Sequence, residues 1–336
     1  MTLTRLATLC LLGLLACSGD DLSGGAGGGD GEGASSGGAG SASGGSAHPG
    51  GGTSSSGGSS GPGGTTSSSG GGSSGGSAAG ETCKRGVAYG YHSEADLRAL
   101  QPGISWWYNW AYVPDQGVRE LYTQLGVEYV PMIWGAGNDP AQAGAAMPAI
   151  SKTLLGFNEP NFHEQANLSA QDAAARWPSV QAVAQAKGLK LVSPAVNFCG
   201  GGCQDTDPFS YLDDFFAACT DCQVDAIAVH VYVGCAGEGG NHAKWLIDHL
   251  KTYEERFTQP IWLTEFACHD AKNEAEQLAF LTDAVTYLES DARVEKYAWF
   301  AGRADNVGHV NLLGADGQLT QLGQAYVNLP HTTPCR

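Results

Sequence analysis

The chain has 336 residues, 50 of them glycine, with 34 acidic against 17 basic side chains and a formal charge of −17 at pH 7. That acidity argues against a nucleic-acid partner, whose phosphates it would repel, and suits a neutral substrate. The glycine is concentrated in one early segment, so only part of the chain can build a packed core.

Residues 1–16 carry one positive charge, Arg5, and an apolar run from Leu6 to Ala16. The run is too short to span a bilayer and reads as a secretory signal. Its end, Leu14-Leu15-Ala16-Cys17, resembles a bacterial lipobox. The resemblance implies cleavage before Cys17 and lipidation of its thiol. Ser18, rather than Asp, in the next position implies the outer membrane or cell surface of a Gram-negative bacterium. In an ordinary signal peptide Cys17 would be incidental.

Residues 17–80 are almost entirely Gly, Ser, Ala and Thr. Such a segment cannot bury enough apolar surface to offset its ordering entropy and is expected to be a disordered leash. As a flexible coil it would reach roughly 40–50 Å. The remainder, 81–336, matches the size of one (β/α)8 barrel, about 250 residues.

Within 81–336 the strand-like runs are Gly86–Tyr91, Ile104–Trp110, Glu128–Trp134, Thr153–Glu159, Leu189–Val196, Val224–Tyr232, Pro260–Phe266 and Lys296–Ala301. Pro131 weakens the third, because it can donate no ladder hydrogen bond. Helical patterns alternate with these runs. The first is capped by Ser93 and followed by 118–125, 140–150, 170–187 (Ser169 as cap, Asp172 at the capping-box position), 208–219, 241–257, 273–290 and 319–328. Eight strands alternating with helices predict a closed parallel (β/α)8 barrel.

Cys10 falls in the signal and Cys17 at the lipobox. Eight cysteines remain: Cys83, Cys199, Cys203, Cys219, Cys222, Cys235, Cys268 and Cys335. An even number in an exported chain predicts disulfides, whose pairing the sequence leaves open. Cys83 with Cys335 would join barrel termini, and Cys235 and Cys268 follow adjacent strands. Cys199-x3-Cys203 and Cys219-x2-Cys222 could instead offer zinc ligands, though the oxidising compartment favours disulfides.

Two runs carry the chemistry. Thr153-Leu-Leu-Gly-Phe-Asn-Glu-Pro160 is a buried strand delivering Asn158 and Glu159 to its C-terminal tip, where barrel enzymes place their catalytic residues. Pro260-Ile-Trp-Leu-Thr-Glu-Phe266 repeats the design with Glu265. Two carboxylates at the same barrel end supply the acid and the nucleophile that glycoside hydrolysis needs. Leu155-Gly-Phe-Asn-Glu-Pro-Asn161 and Trp262-Leu-Thr-Glu-Phe266 resemble the clan of retaining (β/α)8 glycoside hydrolases and, within it, glycoside hydrolase family 128, whose members act on β-1,3-glucans. The resemblance covers 86–301. It implies Glu159 as acid/base, Glu265 as nucleophile, Asn158 on the sugar 2-hydroxyl, Tyr232 as a donor orienting Glu265, and Trp299 as an aromatic floor under the reacting sugar.

His230 shares a face with Tyr232 at period two. Trp107, Tyr108, Trp110 and Trp134 lie at or near the tips of strands two and three and are candidate sugar-stacking aromatics, each also readable as core. Asn197 ends strand five and could meet a hydroxyl. No cofactor or metal is called for, and a monomer acting on β-glucan is expected. Hydrolysis of another β-glycan (β-1,4-glucan or mannan), a non-catalytic surface glycan binder, and a protein-contacting scaffold stand as alternatives.

Overall fold

The computed structural model describes residues 83–90, 93–237 and 239–335. The signal segment 1–16, Cys17 and the leash 17–80 lie outside the described residues, as does Tyr91 at the end of the first predicted strand.

Eight parallel strands follow one another round a ring. β1 (Arg85–Ala88) pairs with β2 (Trp106–Tyr108) on one side and β8 (Val294–Phe300) on the other. β2 pairs with β3 (Glu128–Tyr129), β8 with β7 (Ile261–Cys268), and β7 with β6 (Ile227–Val233). β4 (Thr153–Leu155) pairs with β5 (Lys190–Val192). Shorter bridges complete the circle: Met132 to Leu155 between β3 and β4, and Val192 to Ala226 and Val196 to Val229 between β5 and β6. β3 is short because Pro131 interrupts the ladder, as its missing N–H requires; its carbonyl still accepts from the Leu155 N–H at 2.9 Å. The predicted barrel is therefore the observed one, with strands shorter than the apolar runs that signalled them.

The helices are α1 (Glu94–Leu100), α2 (Leu121–Gln124), α3 (Pro140–Ala146), α4 (Ala170–Lys187), α5 (Pro208–Ala218), α6 (Lys244–Arg256), α7 (Glu274–Ser290) and α8 (Gln321–Asn328). Ser93 caps α1 through the Asp96 N–H, and Ser169 caps α4 through the Asp172 N–H. Each cap satisfies an amide that the first helical turn leaves without a partner.

Alternation along the strands divides the core into two layers. Ala88, Trp106, Tyr108, Met132, Leu155, Val192, Ala228, Trp262 and Ala298 fill the barrel interior. Val87, Trp107, Leu154, Val229, Leu263 and Trp299 pack outward beneath the helices. Gly156 is required where β4 meets both layers. A Cβ there would stand 2.8 Å from the Trp177 ring and 2.9 Å from the Val192 carbonyl oxygen.

One departure from strict alternation places the chemistry. Val229 pairs with Leu263, but the next residue, His230, pairs with Glu265, so Thr264 is an extra residue in β7. The β7–β8 register slips at the same point. Without this bulge Glu265 would share the outward face of Leu263. With it, the carboxylate turns into the barrel mouth, a re-aiming for which bulges are known.

All eight cysteines are paired, as Cys83–Cys335, Cys199–Cys203, Cys219–Cys222 and Cys235–Cys268. The zinc alternative for Cys199, Cys203, Cys219 and Cys222 is thereby replaced by two short disulfide loops. Cys83–Cys335 spans 252 residues, so its loss frees a long loop in the unfolded chain. The Cys83→Ser/Cys335→Ser double variant is expected to lose about 2–5 kcal/mol of stability, read as a fall in urea midpoint at unchanged m.

Candidate active site

The strand tips surround a cavity of about 370 Å³ lined by Trp110, Trp134, Asn158, Glu159, Asn197, Tyr232, Glu265 and Phe300, with Tyr89, Asn109, Asp115, Phe162 and Arg303 among the other walls. Glu159 and Glu265 are the carboxylates at its floor, 9% and 5% exposed. An oxygen of each and Nδ1 of His230 all lie within 4.8 Å of one another.

Glu265 is surrounded by donors. Tyr108 Oη donates to its Oε1 at 2.8 Å and Trp110 Nε1 to the same oxygen at 2.7 Å, while Tyr232 Oη donates to Oε2 at 2.6 Å. An ionised carboxylate is an acceptor only, and this environment offers it only hydrogens. Burial first, and then the nearby Glu265 charge, push both Tyr108 and Tyr232 well above the ordinary phenol value, so both hydroxyls keep their protons as donors. The donors come from β2, its tip and β6, which makes the Glu265 environment a property of the whole barrel mouth.

Glu159 is held differently. Its backbone takes a left-handed φ of +38°, uncommon for a residue with a side chain. The Glu159 N–H donates to the Ala195 carbonyl at 2.8 Å and its carbonyl accepts from the Phe162 N–H at 3.0 Å, which fixes the turn. Pro160 follows directly, so the strand cannot continue. Trp110 also has positive φ, +56°. Two of the four non-glycine residues with positive φ among the described residues therefore sit in this cavity, where strained backbone is expected at functional groups. On the side chain, Glu159 Oε1 receives Asn197 Nδ2 at 3.3 Å and faces His230 Nδ1 at 3.0 Å.

His230 is fully buried and stands between the two acids, with Nδ1 also 3.5 Å from Glu265 Oε2. Burial opposes charge on the imidazole. The Glu265 charge and the hydrogen bond to Glu159 outweigh it, and the His230 pKa is raised from 6.5. The same three atoms could in principle accept a divalent cation; each is already engaged in the hydrogen bonds and close contacts just described.

Of the residues singled out in the sequence, Asn158, Trp110, Trp134, Asn197 and Tyr232 all line the cavity, and His230 lies beneath it. Asn158 presents an unpartnered Oδ1, with Nδ2 donating to Gln165 at 3.3 Å. Trp299 is a correction. It is fully buried outside the barrel interior, edge-on to Phe266 at 5.1 Å, with Nε1 donating to the Val310 carbonyl. Strand parity explains the error: Ala298 and Phe300 point inward, so Trp299 must point outward. Phe300 takes the cavity wall instead, edge-on to Trp110 and Tyr232. Trp107 likewise faces outward, against Tyr129.

The sequence reading did not single out Arg303, which donates to both Asp96 carboxylate oxygens at 2.6 and 2.8 Å and to Tyr89 Oη at 2.6 Å, tying the loop after β8 to α1. No local motif marks it, because its partners lie some two hundred residues away.

The profile of the glycosyl hydrolase catalytic core matches residues 86–326. An endo-β-1,3-glucanase of glycoside hydrolase family 128, subgroup II, from Sorangium cellulosum is 62% identical, with a TM-score of 0.73 over 74% of this chain and 99% of that one. A subgroup I endo-β-1,3-glucanase from Amycolatopsis mediterranei, solved with laminaritriose, is 32% identical with a TM-score of 0.60, covering 74% of this chain and all of that one. Alkali-sensitive linkage protein 1 of Schizosaccharomyces pombe is 28% identical over 259 residues; the match takes in 73% of this chain and 44% of that protein.

Proposed function

The chain belongs to the glycosyl hydrolase catalytic core family, and from that premise we propose that it cleaves β-1,3-glucan within the chain, with retention of anomeric configuration. The observation that carries the reading is the convergence of both carboxylates on His230 Nδ1, at 3.0 Å for Glu159 and 3.5 Å for Glu265, with one oxygen of each acid within 4.8 Å of one of the other. Retaining glycosidases hold their two carboxyls about 5–5.5 Å apart, whereas inverting ones leave about 6.5–9.5 Å for a water. The endo-acting relatives at 62% and 32% identity support the substrate and the mode of attack.

In this reading Glu265 attacks the anomeric carbon as the glycosidic C–O bond breaks, and Glu159 gives its proton to the departing oxygen. Water then adds to the same carbon, Glu159 takes a proton from it, and the bond to Glu265 breaks to release the sugar. Tyr108, Trp110 and Tyr232 hold the attacking carboxylate, Asn158 is aimed at the 2-hydroxyl, and Trp110, Trp134 and Phe300 offer apolar faces to the pyranose rings. We further propose that the domain 81–336 works as a monomer at the outer membrane, held through a lipidated Cys17 and the glycine- and serine-rich segment 17–80.

Digestion of laminarin, followed by product chromatography and by NMR of the first-formed anomer, tests this. Internal scission releasing β-anomers is expected. An α-anomer, or cleavage of β-1,4-glucan or mannan in preference to laminarin, would refute it.

A further inference from the structure

Beyond the mouth of the barrel, β6 and β7 are joined by the Cys235–Cys268 disulfide, with Cα atoms 5.5 Å apart. The crosslink has a regular relation to the chemistry. Cys235 is three residues past Tyr232, and Cys268 is three residues past Glu265, the donor and acceptor of the 2.6 Å bond. Two further devices fix the same tip. Asp270 Oδ1 accepts from the Cys235 N–H at 3.0 Å. Gln277, fully buried on α7, accepts from the Cys268 N–H at 3.0 Å and donates to the Cys268 carbonyl at 2.9 Å. Its amide also donates to the Gly308 carbonyl at 3.1 Å. Gly308 lies in the segment after β8, which contributes Ala301, Arg303, Ala304 and Asn306 to the cavity wall.

The bulge at Thr264 breaks the register on both sides of β7 just before Glu265; beyond it β7 pairs with β6 from Glu265 to Cys268 but with β8 only at Phe266, so this end of the strand is held mainly from the β6 side. Whatever secures the far side of Glu265 then sets where its carboxylate stands relative to Tyr232. We propose that the Cys235–Cys268 disulfide and Gln277 form a clamp of positioning residues that holds the Tyr232–Glu265 hydrogen bond in register across the bulge. The inference rests on Glu265 being the nucleophile. Neither cysteine nor Gln277 lines the cavity, so they act through Glu265 and Tyr232 and not on the sugar.

The test compares the Cys235→Ala/Cys268→Ala and Gln277→Leu variants with wild type and with a Cys219→Ala/Cys222→Ala control, whose disulfide lies in the α5–β6 connection. Two quantities are read: the kcat and KM on a laminari-oligosaccharide, and the exchange of the Tyr232 hydroxyl proton with water by NMR. Since misplacement of a reacting group by about 1 Å can cost 10²-fold, kcat should fall roughly tenfold in both clamp variants with KM within about twofold of wild type. Hydroxyl exchange should quicken in the same two variants, and the control should match wild type in both readouts. Wild-type kcat and exchange in the clamp variants, or an equal loss in the control, would overturn the clamp. Should the double variant fail to fold, Gln277→Leu with all disulfides intact carries the same comparison. A wild-type protein that leaves glucan uncut would defeat the proposed function, while the hydroxyl exchange rates would still decide for or against the clamp.

Discussion

Replacing Glu265 with Gln should reduce laminarin hydrolysis by at least about 10³-fold with the fold retained, because an amide cannot form the glycosyl intermediate. Tyr108, Trp110 and Tyr232 all donate to this side chain. An amide nitrogen placed among three donors leaves at least one without its acceptor, so a small fall in Tm should accompany the loss. Glu159→Gln should be as damaging on the polysaccharide but respond differently to the leaving group. With an aryl glycoside whose phenolate departs unaided, the first step no longer needs a proton, and a burst of phenol should appear in Glu159→Gln but not in Glu265→Gln. Equal behaviour of the two variants on that substrate would contradict the assigned roles.

The second large effect is expected at His230, on the pH axis. The native imidazole binds its proton more tightly than the unfolded chain's, because its pKa is raised from 6.5. The stability this gives is fully present below about pH 6.5 and is lost as pH rises through the native value. Wild-type Tm should therefore decline across that window, and His230→Gln should remove this part of the slope. The charge also matters for turnover. His230 Nδ1 lies 3.0 Å from Glu159 and 3.5 Å from Glu265, where the protonated ring offsets the repulsion between the acids and orients Glu159. His230→Gln should lower kcat by about 10²-fold, the cost expected when a reacting group such as Glu159 is misplaced by about 1 Å. It should also move the alkaline limb of the rate profile. A variant with the wild-type limb and the wild-type Tm slope would show that His230 is only a packed core residue.

The barrel was legible because its signals are local. Alternating apolar runs and capped helices recur at barrel spacing, and the caps Ser93 and Ser169 act where the sequence places them. The strands came out shorter than their runs because hydrophobicity marks burial, which continues past the last ladder bond: Ala195 and Val196 are buried beyond the end of β5. The two carboxylates were legible as residues meeting at one end of the barrel, but the device that aims Glu265 was not. An unbroken alternation from Trp262, which points inward, would have turned Glu265 toward the helices, and only the extra residue at Thr264 corrects it. Trp299 failed for the converse reason. β8 keeps its alternation across Ala298, Trp299 and Phe300, so the large aromatic that fits a sugar by type is on the wrong face by parity. Tyr108, one among several aromatics in a dense strand, revealed its donor role only once the ring closed and brought it to a residue 157 positions away.

The Cys83–Cys335 bond makes the described domain a covalent ring, since it joins β1's leading edge to the residue beside the chain's end. A single proteolytic nick in any surface loop would leave one continuous molecule, with both new ends still attached through the stitched termini. Cut protein should then migrate as an intact species until a reductant is added. Loss of activity to a protease would then be postponed from the first cleavage to the second.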